Sequence, residues 1–326
     1  MKQLIVPVVH GAALDRPDEA DTITTAESVA ASLRRLGHAT QIVHVAPDLA
    51  ALDILARQKP DVVFNLVEAL GGKASEAVRA ISRYEALGLA YTGVRAAAYA
   101  MSNSKLDTKA RLVRHHLPTP VHWKEHDDIP ADAIVIIKSV DEHGSLGMDQ
   151  RSVVKGAQAN AEITCREHEF GGRFFAESYI DGREFNVSVL ETRNGPSVLP
   201  LAEIDFTGLP RGRHAIVDFS AKWDPSDIAY QVTPRRFGLD TGAPALAAQI
   251  RHLSLACWRA FALTGYARVD FRVDATGRPY VLEVNANPCL APDAGFAAAA
   301  AEAEYAYDDL IAAIVASALA PARQVA

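Results

Sequence analysis

Two hydrophobic periods alternate along the first hundred residues. KQLIVPVV, ATQIVHV and DVVFNLVE are short apolar runs that predict strands. Between the first two, Ala26, Val29, Ala30, Leu33 and Leu36 recur at helical spacing and stop at Gly37. DLAALDILARQ and SEAVRAISRYEALG repeat that helical period, and LAYTG adds a further short strand. Alternation of this kind predicts a parallel sheet covered by helices.

Beyond residue 100 the pattern changes. SKLDTKARLVRHH predicts a helix stopped before Pro118, DAIVIIKSV a strand, and DEHGSLGM a glycine-containing loop. RSVVKG reads as a strand and AQANAEITCREHEF as a helix. RFFAESYI and REFNVSVLE are predicted strands flanking Asp181-Gly182, a hairpin signal. After a strand at SVLPLAEI, residues 205–243 are polar and loop-like. ALAAQIRHLSLACWRAFALTG predicts a long helix, and two Ala-rich helical segments close the chain.

The candidate chemistry gathers at RVDFRVD and YVLEVNAN, residues 268–274 and 280–287. In the first, apolar residues alternate with Arg268, Asp270, Arg272 and Asp274. In the second, Tyr280, Leu282 and Val284 alternate with Val281, Glu283, Asn285 and Asn287. A hairpin centred on Thr276-Gly277 sets Asp270 opposite Glu283 and Arg268 opposite Asn285. Like charges directly opposite each other destabilise a sheet. Two readings fit: a solvated face offset by neighbouring arginines, or a hard cation such as Mg²⁺ held on oxygen ligands.

Composition removes several classes of function. The chain has 326 residues, 49% hydrophobic and 22% charged, with a net charge of -7. That length predicts two or three subdomains. The negative balance disfavours nucleic acid or an anionic membrane as partner. No apolar run has the length of a membrane span, and MKQLIVPVVHG reads as a first strand rather than a signal peptide. Cys165, Cys257 and Cys289 are far apart, which disfavours a disulfide framework or a zinc site and fits a reducing cytoplasm.

Neither a G-x-x-x-x-G-K-[ST] loop nor a G-x-G-x-x-G after the first strand occurs. Lys105 opens a helix and Lys138 ends the apolar strand IVIIK; either alone is ordinary surface chemistry. Gly144 and Gly147 let backbone N–H groups turn toward an anion. Glu177 and Glu184 flank the predicted Asp181-Gly182 turn, and a carboxylate can accept both hydroxyls of a ribose. Lys222 and Trp223 sit in DFSAKW.

The order of these features carries more than any of them alone: two lysines, a glycine loop, two glutamates, a loop lysine, then R-x-D and E-x-N-x-x-P. In YTGVRAAAYAMSNSKLDTK, IVIIKSVDEHGSLGM, FFAESYIDGREFNV, DFSAKW, RVDFRVD and YVLEVNANP the chain resembles ATP-grasp enzymes of the D-alanine–D-alanine ligase type.

The resemblance implies an α/β (α+β) ATP-grasp fold. Its parts would be an N-terminal parallel-sheet domain over 1–102, a central lid over 103–179, and a larger unit with the metal site over 180–326. It implies ATP and two Mg²⁺ ions, or Mn²⁺ in their place, on Asp270, Glu283 and Asn285. Lys105, Lys138 and Lys222 would contact the phosphates under the loop of Gly144 and Ser145. Glu177, Tyr179 and Ile180 would meet the adenine and Glu184 the ribose. Arg268, with the backbone N–H of Cys289, would form the oxyanion site. Small carboxylate and amine substrates, a cytoplasmic location and a homodimer are further expectations.

Departures cluster on the acceptor side. Gly144 stands where the family has a serine, Trp223 where it has a tyrosine, Cys289 where it has a glycine. Ala294 replaces the serine that grips the acceptor carboxylate. VVHGAALDRPDEADTIT lacks the family's glycine-rich G-G-x-x-x-E-x-x-V-S pattern, leaving Glu19 or Asp21 as stand-ins for its glutamate. His143 is a candidate for phosphate or substrate contact, although a loop histidine is more often solvated. The leading expectation is an ADP-forming carboxylate–amine ligase acting through an acyl phosphate on substrates other than two D-alanines. Alternatives are a true D-alanine–D-alanine ligase, a phosphotransferase, and a nucleotide-binding regulatory protein without turnover.

Overall fold

The computed structural model describes residues 2–11 and 17–320. Three sheets carry the chain. In the first, β1 (Val8–His10) pairs in parallel with β2 (Ile42–His44) and β3 (Phe64–Asn65). The helices α1 (Pro17–Arg35), α2 (Ala50–Arg57) and α3 (Val78–Ala86) cover it. The strands are shorter than the apolar runs that predict them. Pro7 lacks an N–H, and the regular ladder starts just after it. LAYTG contributes only a bridge from Tyr91 to Val63.

Next come α4 (Ala96–Asn103) and α5 (Lys105–Arg114), which break at Ser104. The Ser104 side chain accepts from the Asp107 N–H, an N-cap that starts α5 at Lys105. The lid sheet has the order β4 (His122–Trp123), β7 (Phe174–Ser178), β5 (Ile134–Ser139), β6 (Val153–Lys155), all antiparallel. Val135, Ile137 and Ala176 of this sheet pack against Ala159 and Ile163 of α6 (Gly156–Phe170).

The large sheet orders β11 (Arg235–Arg236), β10 (Ala202–Ile204), β8 (Gly182–Thr192), β12 (Tyr266–Asp274) and β13 (Pro279–Asn285), with β9 (Gly195–Val198) also on β8. The expected hairpin at Asp181-Gly182 does not form. β7 belongs to the lid sheet, while β8 pairs with β12 from Gly182 onward. Gly182 has φ +151, and a Cβ there would lie 2.1 Å from the Val273 carbonyl oxygen, so only glycine lets the chain cross between sheets at this point.

The stretch 205–243 is not a plain loop. It holds α7 (Phe219–Trp223), α8 (Ile228–Val232) and α9 (Leu239–Gly242), the first two capped by Asp218 and Asp227. Helices of four or five residues are too short to leave a periodic signal. Then α10 (Pro244–Ala260) covers the back of the large sheet, where Ile250 and Cys257 join Phe185, Val187, Val269 and Phe271 in the main core. α5 also docks there: Leu112 joins that core, and Arg111 Nε donates to the Ala260 carbonyl at 2.8 Å. Finally α11 (Gly295–Glu302) and α12 (Tyr307–Leu319) return to the first sheet, with Leu310, Ile311 and Ile314 packed on Val8, Val29 and Leu33. No helix among the described residues is long and apolar enough to cross a membrane.

Candidate active site

The lid sheet and the large sheet, with α1 and the stretch after β3, line a cavity of about 950 Å³. Sixteen of the residues expected at the site line it: Lys105, Lys138, His143, Gly144, Ser145, Glu177, Tyr179, Ile180, Glu184, Lys222, Trp223, Arg268, Asp270, Glu283, Asn285 and Cys289. Glu19 falls in the first turn of α1, and its side chain lies outside the described residues.

The floor is the β12–β13 pair. Asp270 faces Glu283 and Arg268 faces Asn285, as the spacing predicts, but by a different route. Near the turn Phe271 pairs Val281 and Arg272 pairs Tyr280, so the hairpin centres on Thr276 rather than on Thr276-Gly277. The register shifts by one between Asp270 and Phe271, and that bulge restores the Asp270–Glu283 pairing. It also changes which residues face in. Val281 and Val284 are buried in the core, while Leu282, Glu283 and Asn285 all face the cavity. Strict alternation would have put Leu282 and Val284 on one face.

Charges on this floor are tied together. Arg268 donates from Nε and Nη2 to the two Asp270 oxygens at 2.7 and 2.8 Å. Asn285 Nδ2 donates to Asp270 Oδ2 at 3.0 Å and to Glu283 Oε1 at 3.2 Å. Burial raises the Asp270 pKa; Arg268 opposes the rise and the Glu283 charge adds to it. Burial acts on Glu283 too, but Lys105, His143 and Arg268 together hold its carboxyl well below the usual range. Among the described residues no three His, Cys, Asp or Glu side chains form a closed metal cage. Two facing carboxylates and a carboxamide, which a flip turns oxygen-first, are the donor set that suits Mg²⁺ shared with phosphate oxygens.

Above the floor stand the lysines. Lys138, the penultimate residue of the lid strand β5, donates to Glu177 Oε1 at 2.6 Å. Lys109 reaches the other Glu177 oxygen at 2.5 Å and is fully buried. Burial opposes the Glu177 charge, yet these two lysines hold its pKa at about 2. Glu177 is therefore a fixed anion between two lysines, not an open carboxylate. Sequence reasoning missed Lys109; its place one helical turn after Lys105 was the available signal. Lys105 Nζ donates to the Glu142 carbonyl at 2.5 Å, and burial lowers its pKa.

The glycine loop and the α7 segment hold each other. Trp223 Nε1 donates to the Gly144 carbonyl at 2.8 Å, and Ser145 Oγ to the Val217 carbonyl at 2.8 Å. Gly144, Ser145 and Gly147 all have positive φ. His143 is half-buried rather than solvated, with Nε2 2.8 Å from Asn103 Oδ1. Burial, then Lys105, push its pKa down to about 4, so it is neutral at ordinary pH. Lys222 lies over the Trp223 ring, and burial followed by Arg268 lowers its pKa.

At the far end Tyr179 and Ile180 lead into β8. Here Arg272 is the residue that the sequence reading left without a role. It is 4% exposed and donates to Glu184, to the Ile180 carbonyl and to the Ala215 carbonyl. Its guanidinium also faces the Tyr179 and Phe206 rings. The opposite end is built from α1, the stretch after β3 and the stretch after β13. Cys289 Sγ donates to Asp21 Oδ2 at 3.1 Å. Burial, with Glu68 and Asp21 nearby, pushes the thiol up to about 12, which excludes a thiolate nucleophile at neutral pH.

Residues 120–316 match the family model described as D-ala D-ala ligase C-terminus. The chain belongs to the D-alanine–D-alanine ligase family. A D-alanine–D-alanine ligase of Gluconobacter oxydans is 32% identical over 97% of this chain and 99% of its own length. One from Gloeobacter violaceus is 30% identical over 87% of this chain and 91% of its own. The crystal structure of a D-alanine–D-alanine ligase from Bacillus anthracis complexed with ATP superposes with a TM-score of 0.73 at 20% identity, covering 97% of both chains. The fold is thus the ATP-grasp fold of this family, and the protein is an ATP-grasp ligase that forms a carbon–nitrogen bond.

Proposed function

We propose that the protein joins a carboxylic acid, an amino acid among them, to an amine, with ATP converted to ADP and phosphate through an acyl phosphate. One observation carries this reading: Asp270 and Glu283 face each other under Asn285, within a cavity that also collects Lys105, Lys138, Lys222 and Arg268. Adenine lies against Tyr179 and Ile180, the ribose hydroxyls on Glu184, and the phosphates against the three lysines under the loop of Gly144 and Ser145. Glu177, locked by Lys109 and Lys138, places Lys138 beside the phosphates. Asp270, Glu283 and Asn285 would hold Mg²⁺, two ions in this reading, which would supply positive charge to offset that of the transferring phosphoryl group.

The chain's own residues then divide the work. A substrate carboxylate oxygen attacks the γ-phosphorus and ADP leaves. The amine attacks the acyl carbon, giving a tetrahedral oxyanion. Nε and Nη2 of Arg268 are taken by Asp270, so Nη1 is the nitrogen left to meet that oxygen, beside the Cys289 N–H. Phosphate then leaves, and the amine proton is lost. The Trp223–Gly144 hydrogen bond holds the cover that keeps water from the acyl phosphate. Three unpaired cysteines fit a reducing cytoplasm. The three sheets support units at 1–102, 103–179 and 180–326, with α5 of the middle span docked on the large sheet.

Substrates other than two D-alanines are part of this proposal. Gly144, Trp223, Cys289 and Ala294 change the polar lining on the acceptor side. The second reading, a true D-alanine–D-alanine ligase, is favoured by the names of the relatives, which share 30–32% identity over most of their length. ADP release with Mg²⁺-ATP across a matrix of amino acids and small carboxylates, beside Glu283→Gln, tests the proposal. A pair that drives ADP release only in the unaltered protein supports it. Efficient D-alanyl-D-alanine synthesis supports the second reading, and silence across the matrix removes both.

A further inference from the structure

Resting on the ligase reading, we infer that Arg235 is the specificity-determining residue of the acceptor subsite, and that it selects an amine substrate carrying a free carboxylate. Arg235 leaves β11 at the mouth of the cavity, open to solvent on one side. Its side chain is not free to wander. Nη1 donates to the Asp293 carbonyl at 2.9 Å, which ties the guanidinium to the stretch that follows Cys289. Gly295 lies beneath it: a Cβ at that position would come 3.4 Å from Nε and 3.9 Å from Cζ. The missing side chain at 295 therefore leaves space for the guanidinium.

Charge is the second part of the argument. Arg268 and Arg235 line the same cavity, and burial, then the Arg268 charge, lowers the Arg235 pKa. The other arginines of this sheet are matched. Arg268 pairs Asp270, Arg272 pairs Glu184, Arg236 pairs Asp205 and Arg183 pairs Glu203. Among the described residues Arg235 takes no carboxylate; Asp293, whose carbonyl it bonds, only tempers its charge. Asp21 and Glu68 line the same cavity. A ligand with a cationic or amine group toward the acids and a carboxylate toward Arg235 completes this distribution. The planar guanidinium offers a carboxylate two parallel N–H donors, which fixes the amine's direction as well as its affinity.

The test retests each amino acid that drives ADP release, D-alanine included, as its carboxamide. The unaltered protein is expected to prefer the carboxylate, with the acceptor KM roughly 10- to 100-fold lower than for the amide. Arg235→Ala should raise the acceptor KM to the level of the amide and leave the ATP KM where it was. Arg235→Lys should recover part of the loss, because charge remains but the fork does not. Equal discrimination in the unaltered protein and Arg235→Ala overturns the assignment. Trapping the acyl phosphate with hydroxylamine separates the two levels. Hydroxamate formed without an Arg235 effect defeats only this inference; no hydroxamate with any acid defeats the ligase reading and this one with it.

Discussion

The metal end and the acceptor end of the cavity are built by different means. At the metal end the side chains stand on adjacent strands, so the pleat sets their spacing. Asn186, Asp270 and Glu283 form one row across β8, β12 and β13, and Glu184 and Arg272 form the next pair. Almost every charge there has a partner within the protein. At the acceptor end the side chains come from helices, the two-residue edge strand β11 and connecting stretches: Asp21, Glu68, Tyr230, Arg235, Asp293. Arg235 is left to find its carboxylate elsewhere. Strand register holds a reaction centre rigid, while loops can exchange residues without disturbing the sheet.

The comparison breaks most sharply at the floor. Glu283→Gln is expected to lower the rate of ADP release roughly 1,000-fold or more, since several kcal/mol of charge stabilisation are lost. Steady-state ADP formation reads this, and a protein that still turns over within tenfold would show that the facing carboxylates are not the metal site.

Stability should fall most for the buried lysine at the same end. Lys109→Met leaves Glu177 buried with half its compensation, at a cost of about 3–5 kcal/mol. Urea midpoints measure it, and the Lys109→Met/Glu177→Leu pair should recover much of the loss. An additive double variant would mean that the two side chains do not act as a unit.

Between the two ends, Trp223→Phe removes one N–H donor to the Gly144 carbonyl and keeps the ring. The expected change is about 1 kcal/mol, a fivefold fall in kcat/KM for ATP. A larger loss confined to the amine substrate would place Trp223 with the acceptor instead.

The pH dependence is smaller and its sign is fixed. The folded-state pKa of His143 is depressed from 6.5 to about 4. As pH falls through 6.5 the unfolded chain takes a proton that the folded one refuses, so folding stability is lost between pH 6.5 and 4. His143→Gln should flatten that part of a stability–pH curve followed by urea midpoint. The smallest effect is expected at Cys289. Iodoacetamide at pH 8 should leave activity unchanged, because a thiol with a pKa of about 12 presents almost no thiolate.

Much of the metal end was legible in the sequence because it is local. Arg268, Asp270, Glu283 and Asn285 sit within eighteen residues, on period-two strands whose register can be counted. Even so, the count succeeded through a compensation: a turn one residue off and a bulge at Leu282. The Asp181-Gly182 prediction failed for the same kind of reason. A turn signal says where the chain bends but not which strand lies beside the next one. Arg272 was visible in the alternation, yet nothing in R-x-D-x-R says that it reaches the Ile180 and Ala215 carbonyls. The helices of 205–243 were too short to announce themselves.

By itself, then, the sequence determined the alternation that makes the N-terminal sheet, the order of lysines, glycine loop and carboxylates, and the membership of those carboxylates in one hairpin. All are consequences of backbone periodicity and side-chain type over a few neighbouring residues. The tertiary structure alone decided that Lys109 and Lys138 share Glu177, that Trp223 closes on Gly144, that Cys289 is a protonated donor to Asp21, and that Arg235 stands unmatched beside Arg268. Those pairings join residues 33 to 268 positions apart or depend on the low-dielectric space of the shared cavity, and burial and charge exist only once the sheets have come together.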